Sequence, residues 1–137
     1  MTAPAVLPHW DALLARLAIS GVPIGQGVAP REAEPHGGIT EYAVLYLGPA
    51  TAVRESLADA RTDAELSVQV TCVGVSPERC LWVADRITAA LAQPLTVEGR
   101  QAWRLEGPDG PAVHRDDSVT PPLWLQPLQY TLRSTAA

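Results

Sequence analysis

From Glu65 to Cys72 the chain alternates without a break, with Leu66, Val68, Val70 and Cys72 on one side and Glu65, Ser67, Gln69 and Thr71 on the other. A strict period of two marks a strand covered on one face and open to water on the other. The strand ends in a Gly74-Val75-Ser76-Pro77 corner, and a helix is predicted from Glu78 to about Ala92. Ser76 suits the N-cap and Pro77 the first helical position, while Glu78 complements the positive end of the helix dipole. Leu81, Ala84, Ile87, Thr88 and Leu91 recur at helical spacing and define the expected buried face; Pro94 stops the run. Trp82 falls off the centre of that face, which makes it an interface candidate.

The other elements read less sharply. His9 to Ser20 forms a helix between Pro8 and Gly21, with Trp10, Leu13, Leu14, Leu17 and Ala18 as its apolar face. Residues 21–40, rich in Pro and Gly, read as a long loop, and loops of that length in a small domain are usually functional, mobile or ordered only by a partner. A strand follows at Tyr42 to Leu47. The stretch of about 48–63 has poor periodicity, fits helix or extended chain, and is read as a long connection between two paired strands. Two short strands flank a turn at Gly99-Arg100, and Gly107 to Pro111 is a turn cluster. His114 to Ser118 is a polar connection to a last strand, Leu123 to Arg133. Pro121, Pro122 and Pro127 place the early part of that strand at an edge or bulge. Trp124, between these prolines, is a second interface candidate. The order is α-β-β-α-β-β-β: an α+β fold, with two helices packed on one face of an antiparallel or mixed sheet.

Composition narrows the classes. The chain has 137 residues and a formal net charge of −5, and its hydrophobic content of 47% is ordinary for a globular protein. A length of this order predicts one domain over 1–137. Lys, Asn and Phe are absent, and the ten Lys and Arg are therefore all Arg, scattered without a run. Tight nucleic-acid binding needs a basic cluster, so the charge pattern argues against it. The first residues carry neither a basic region nor a long apolar stretch, and no run approaches the length of a membrane span; both point to synthesis in the cytoplasm.

Candidate chemistry is sparse. His9, His36 and His114 lie in separate segments without a second ligand at metal spacing, and they read as solvated residues. His114-Arg115-Asp116-Asp117 is the densest titratable cluster. Neighbouring residues of a strand face opposite ways, so it reads as a charged turn. Cys72 falls on the buried face of its strand. Cys80 sits in the first turn of a helix, where a thiol's pKa is lowered, but no histidine accompanies it. Gly25-Gln26-Gly27 lacks the strand and third glycine of a dinucleotide fingerprint. No catalytic, cofactor or metal residue is nominated, and the chain is expected not to be an enzyme. A small ligand-binding or enzymatic domain stays open as an alternative, with Glu32, Glu34 and His36 near a pocket under the first loop.

The order of elements resembles the tail terminator, or tail completion, proteins of long-tailed phages and phage-tail-like particles. The resemblance is carried by Tyr42-Ala43-Val44-Leu45-Tyr46-Leu47, by Leu66 to Gly74 running directly into Cys80-Leu81-Trp82-Val83-Ala84-Asp85-Arg86-Ile87, and by Gln129-Tyr130-Thr131-Leu132. It implies a virion protein with no active site. Such a protein forms a homo-hexameric ring on the head-proximal end of the tail tube, halts tube polymerisation and meets the neck, or head-completion, proteins. Genomic DNA would pass through the lumen without specific binding, which an acidic chain suits. Val53, Arg54, Leu57 and Arg61 in the second long loop join Trp82 and Trp124 as candidate contacts with a neighbouring subunit or the tube. Another head–tail joining or minor tail protein is the nearest alternative.

Overall fold

The computed structural model describes residues 5–30, 40–53, 63–102 and 105–136. Along the chain come α1 (Leu7–Leu17), a 3₁₀ turn (Ala18–Ser20), β1 (Ile24–Gln26), β2 (Tyr42–Leu47), β3 (Thr51–Val53) and β4 (Asp63–Gly74). They are followed by α2 (Pro77–Leu91), β5 (Arg100–Ala102), β6 (Glu106–Asp109), β7 (His114–Asp116) and β8 (Leu123–Ala136). The strands form one mixed α+β sheet in the order β1-β2-β4-β8-β5. β3 adds to β4, while β6 and β7 add to β8.

β4 and β8 are the frame. They run antiparallel in unbroken register from Ala64 opposite Ser134 to Gly74 opposite Trp124. This register places Leu66 against Leu132, Val68 against Tyr130 and Val70 against Leu128, all buried. The predicted alternation is therefore the observed one: Ser67 is exposed between buried Leu66 and Val68. β2 extends the apolar face with Ala43 and Leu45, opposite Cys72 and Val70. On this face both helices contribute to one core, through Leu13 and Leu17 of α1 and Cys80, Val83, Ala84, Ile87 and Leu91 of α2.

Both flanks of the frame are interrupted edges. β2 and β3 lie end to end along β4, with Leu47 opposite Val68 and Thr51 opposite Glu65. Likewise β5, β6 and β7 run in sequence along β8, from Arg100 opposite Ala136 to Asp116 opposite Leu123. The expected turn cluster at 107–111 and polar connection at 114–118 are thus largely parts of one broken edge strand. Pro108 and Pro111 cannot donate to a ladder, so the strand appears in short pieces. Of the edge or bulge expected for Pro127, the structure shows the second. The proline lies opposite Thr71 within the long β4–β8 ladder, not at a sheet edge. On the other side of β8, the outer ladder breaks between Gln129 and Leu125, and Pro127 falls in that gap.

The two long loops are shorter than expected. β1 falls within the first and pairs parallel with β2, Ile24 opposite Ala43. Gly25 is what lets this happen: a Cβ there would sit 2.0 Å from the Val28 carbonyl oxygen, so only a bare backbone fits beneath the following turn. β3 falls within the second loop, with Val53 opposite Asp63. Residues 31–39 and 54–62 lie outside the described residues, and with them Glu32, Glu34, His36, Arg54, Leu57 and Arg61.

α2 begins as predicted, with Ser76 Oγ accepting from the Arg79 N–H at 3.2 Å and Pro77 in the first turn. Its buried stripe is rotated from the expected one. Cys80 and Val83 face the sheet, and Leu81 is 44% exposed. The corner explains this, since a Cβ on Gly74 would lie 2.4 Å from the Cys80 nitrogen. The backbone of residue 80 is pressed against the end of β4, an approach that only a glycine at position 74 allows. In α1 the stripe is His9, Leu13 and Leu17, while Ala18 is exposed and Trp10 and Leu14 are partly buried.

Alternation makes a direct prediction about stability. Leu132→Ala, in the shared core, lowers unfolding free energy by about 2–5 kcal/mol. Ser67→Ala, on the opposite face, changes it by no more than about 0.5 kcal/mol. Urea denaturation of both variants beside the parent checks the pair, and equal losses would contradict the assignment of faces.

Candidate assembly surfaces

The outer face of α2 is built around Trp82. The residue is 39% exposed, and the guanidinium carbons of Arg79 and Arg86 stand 4.6 and 4.9 Å from the ring centroid. These residues are three before and four after it on the helix, so all three share one stripe. Each arginine is also tied to the body of the protein. Arg79 donates to both carboxylate oxygens of Glu41, at 2.6 and 2.8 Å, and these bonds hold that carboxyl below its usual range. Arg86 Nε donates to the Ser20 carbonyl at 2.8 Å. The ring is thereby fixed as a rigid aromatic surface, with exposed Leu81 and Val75 nearby in sequence.

The second surface is the uncovered face of the sheet. Tyr46, Ser67, Gln69, Gln129 and Thr131 floor a shallow trough of ≈ 620 Å³, walled by Glu106, Gly107 and Asp109 of β6. The floor is neutral and hydrogen-bonding. Charge sits on its wall, in the carboxylates of Glu106 and Asp109, and at its end, where Arg133 bridges Glu65 at 3.1 Å and Glu106 at 3.3 Å.

Other candidates resolve into local structure. Trp124 is half-buried against the core, opposite Gly74. Val53 ends β3, and its side chain lies outside the description. Asp116 accepts from the hydroxyl of Ser118 at 2.6 Å and from its N–H at 2.9 Å. Those two bonds, the hydroxyl's first, lower the Asp116 pKa, with a smaller contribution from His114. Asp117 instead pairs with Arg115 at 2.7 Å, so the two carboxylates have separate partners in a charged turn. Among the described residues there is no cluster of three or more metal-ligating side chains.

His9 corrects the expectation of solvated histidines. It is fully buried, with Nδ1 2.8 Å from the Ala5 carbonyl and Nε2 2.7 Å from Ser134 Oγ. Arg100 Nε donates to the same Oγ at 2.6 Å. The serine and imidazole are close enough for proton transfer, yet neither is exposed. Sequence reasoning passed over this contact because its partners are 125 residues apart. One signal was available: His9 continues the Leu13–Leu17 stripe, and Ser134 continues the Leu128–Tyr130–Leu132 stripe, so both are polar residues at inward positions.

The cysteines are buried and unbonded to one another. Cys80 Sγ donates to the Cys72 carbonyl at 3.4 Å. Burial pushes Cys72 up to about 12 and Cys80 up to about 11, so at Cys80 desolvation outweighs the helix terminus expected to lower it.

The fold so assembled is similar to that of a chain in a solved structure described as the virion of a native gene transfer agent particle. The match has a TM-score of 0.57 and 15% sequence identity, and it covers 92% of this chain and 93% of that one. No family model and no curated protein sequence matches the chain. At this identity the likeness is one of fold. No helix among the described residues is long and apolar enough to cross a membrane.

Raised thiol pKa values predict inert cysteines. In the native protein at neutral pH, Cys72 and Cys80 react with a disulfide reagent slower than an ordinary thiol by roughly a hundredfold or more. Both become reactive in guanidinium. Colorimetric thiol counting checks this, and fast labelling of the folded chain would contradict the burial.

Proposed function

We propose that this chain is a structural protein of a phage-like virion, and within that class a tail terminator. The observation that supports this best is the fold match with a virion chain over more than nine-tenths of both chains. A match of that extent compares whole units of similar size, not a shared motif. The sequence resemblance to tail terminators, carried by the β4–α2 unit, is the reason for the finer assignment.

In this reading the work is done by surfaces. Copies of the chain meet side by side through heterologous contacts that close into a ring, since one patch on each copy binds a different patch on the next. The rigid Trp82 surface is suited to such a contact, because aromatic and arginine side chains dominate interface energetics. Val53, which ends β3, and Arg54, Leu57 and Arg61, which lie outside the described residues, stay candidates for contact with a neighbour or the tube. The neutral floor of the open sheet, on a chain of net charge −5, suits a lumen through which DNA moves without being held. The ring caps the head-proximal end of the tube, stops its growth and offers its other side to the neck protein. The role needs no catalysis, cofactor or metal.

Mixing the purified chain with the tail-tube protein of the same particle tests the reading. Light scattering and negative-stain microscopy should show rings of about six copies, or tubes that stop growing with the chain at one end. Tubes that lengthen unchanged, with the chain left in solution, would overturn it. Trp82→Ala should weaken ring formation by at least about tenfold in midpoint concentration while leaving the thermal midpoint within a few degrees.

A further inference from the structure

We propose that His9 is a proton-sensitive latch: α1 stays docked on the sheet while His9 is neutral, and acidification releases it. A carbonyl oxygen can only accept, so Nδ1 carries the proton shared with Ala5. Arg100 Nε can only donate, so Ser134 Oγ accepts from it and turns its own hydrogen to His9 Nε2. Every donor in the chain of bonds then has an acceptor, provided Nε2 is bare. A proton on Nε2 reverses the last bond and leaves the Ser134 hydroxyl hydrogen to find another acceptor inside a fully buried site. Stranding a buried donor is costly, and here it comes with a second cation beside a guanidinium.

Among the described residues the surroundings offer little relief. β5 brings Arg100, and β8 brings the uncharged Ser134 with Arg100 also on its carbonyl at 3.1 Å. β4 brings the apolar Ala64, opposite Ser134. The nearby acid of β4, Glu65, is turned to the other face and held by Arg133. Asp11 of α1 is exposed, two positions off the buried stripe. Burial, and then the charge of Arg100, accordingly lower the His9 pKa against the opposing bond to Ala5. The sign follows. The undocked chain takes up a proton at the ordinary histidine value of about 6.5, and the docked chain only at a lower pH. Docking is at full strength above about 6.5 and is lost as pH falls below it, by up to about tenfold per pH unit.

The latch joins the described beginning of the chain to its last strand, so its opening would uncover Leu13 and Leu17 together with the sheet face beneath them. It stands independently of the virion reading, because it concerns the isolated chain. The test is amide-exchange protection of α1 relative to α2 between about pH 7.5 and 5, with the His9 imidazole followed by NMR over the same range. The expected result is a selective loss of α1 protection in step with His9 protonation, and a flat profile in His9→Gln. An imidazole that titrates near 6.5 with α1 protection unchanged would overturn the latch, as would an equal loss in His9→Gln. The titration of the parent chain decides the matter even where the variant fails to fold.

Discussion

The register between β4 and β8 is the constraint on which the rest depends. With Leu66 opposite Leu132 and Val70 opposite Leu128, every inward residue of one strand meets an inward residue of the other. A slip of one position would turn the apolar row of one strand to water while the other still faced the core, so the pairing is specified by the whole hydrophobic face at once. That same pairing tells α2 where to pack, gives β2 its ladder, and carries Ser134 to the place where His9 can reach it. The short edge pieces depend on it too. β5, β6 and β7 are each too brief to persist alone and are held by a neighbour that is already straight and buried.

Around this frame the molecule separates its two faces. The helical side spends its polar groups on internal joints: Arg86 on Ser20, Arg79 on Glu41, and His9 with Arg100 on Ser134. The sheet side leaves a broad floor of uncharged polar residues facing outward. A protein that acts by fitting against neighbours needs such rigid, differently textured surfaces more than it needs a deep pocket. That is the physical sense in which this architecture suits an assembly role. The interrupted edges have a related consequence, since prolines and broken ladders discourage indiscriminate strand addition while leaving defined places for specific contact.

The places where sequence and structure part company share a cause. Leu81 was the natural choice for the buried face of α2, but the tight corner at Gly74 presents Cys80 to the sheet and turns Leu81 outward. Pro127 argued for an edge or a bulge, and it is the irregular break in the ladder on one side of β8 that leaves room for it in the middle of the sheet. His9 read as an ordinary polar residue at a helix start, yet its position on the Leu13–Leu17 stripe carries it inside. In each case the outcome was set by how neighbouring elements meet, at a tight corner, at a gap in a ladder or across 125 residues of sequence, and not by the preference of the residue alone.

By itself the sequence determined what depends on neighbours within a few residues: the alternation of Glu65 to Cys72, the Ser76 cap and Pro77 start of α2, the Gly21 stop after the first helix, and the α+β order. These follow from backbone sterics and periodicity, which are local properties. Tertiary structure alone decided that the scattered pieces from Arg100 to Asp116 form one edge, that Ile24 to Gln26 lies parallel to β2, and that Arg79 and Arg86 hold Trp82 rigid. It alone brought His9, Arg100 and Ser134 into one chain of hydrogen bonds. The reason is that hydrogen-bond partners and packing neighbours are chosen by distance in space, and residues 125 positions apart carry no mark of it in their order.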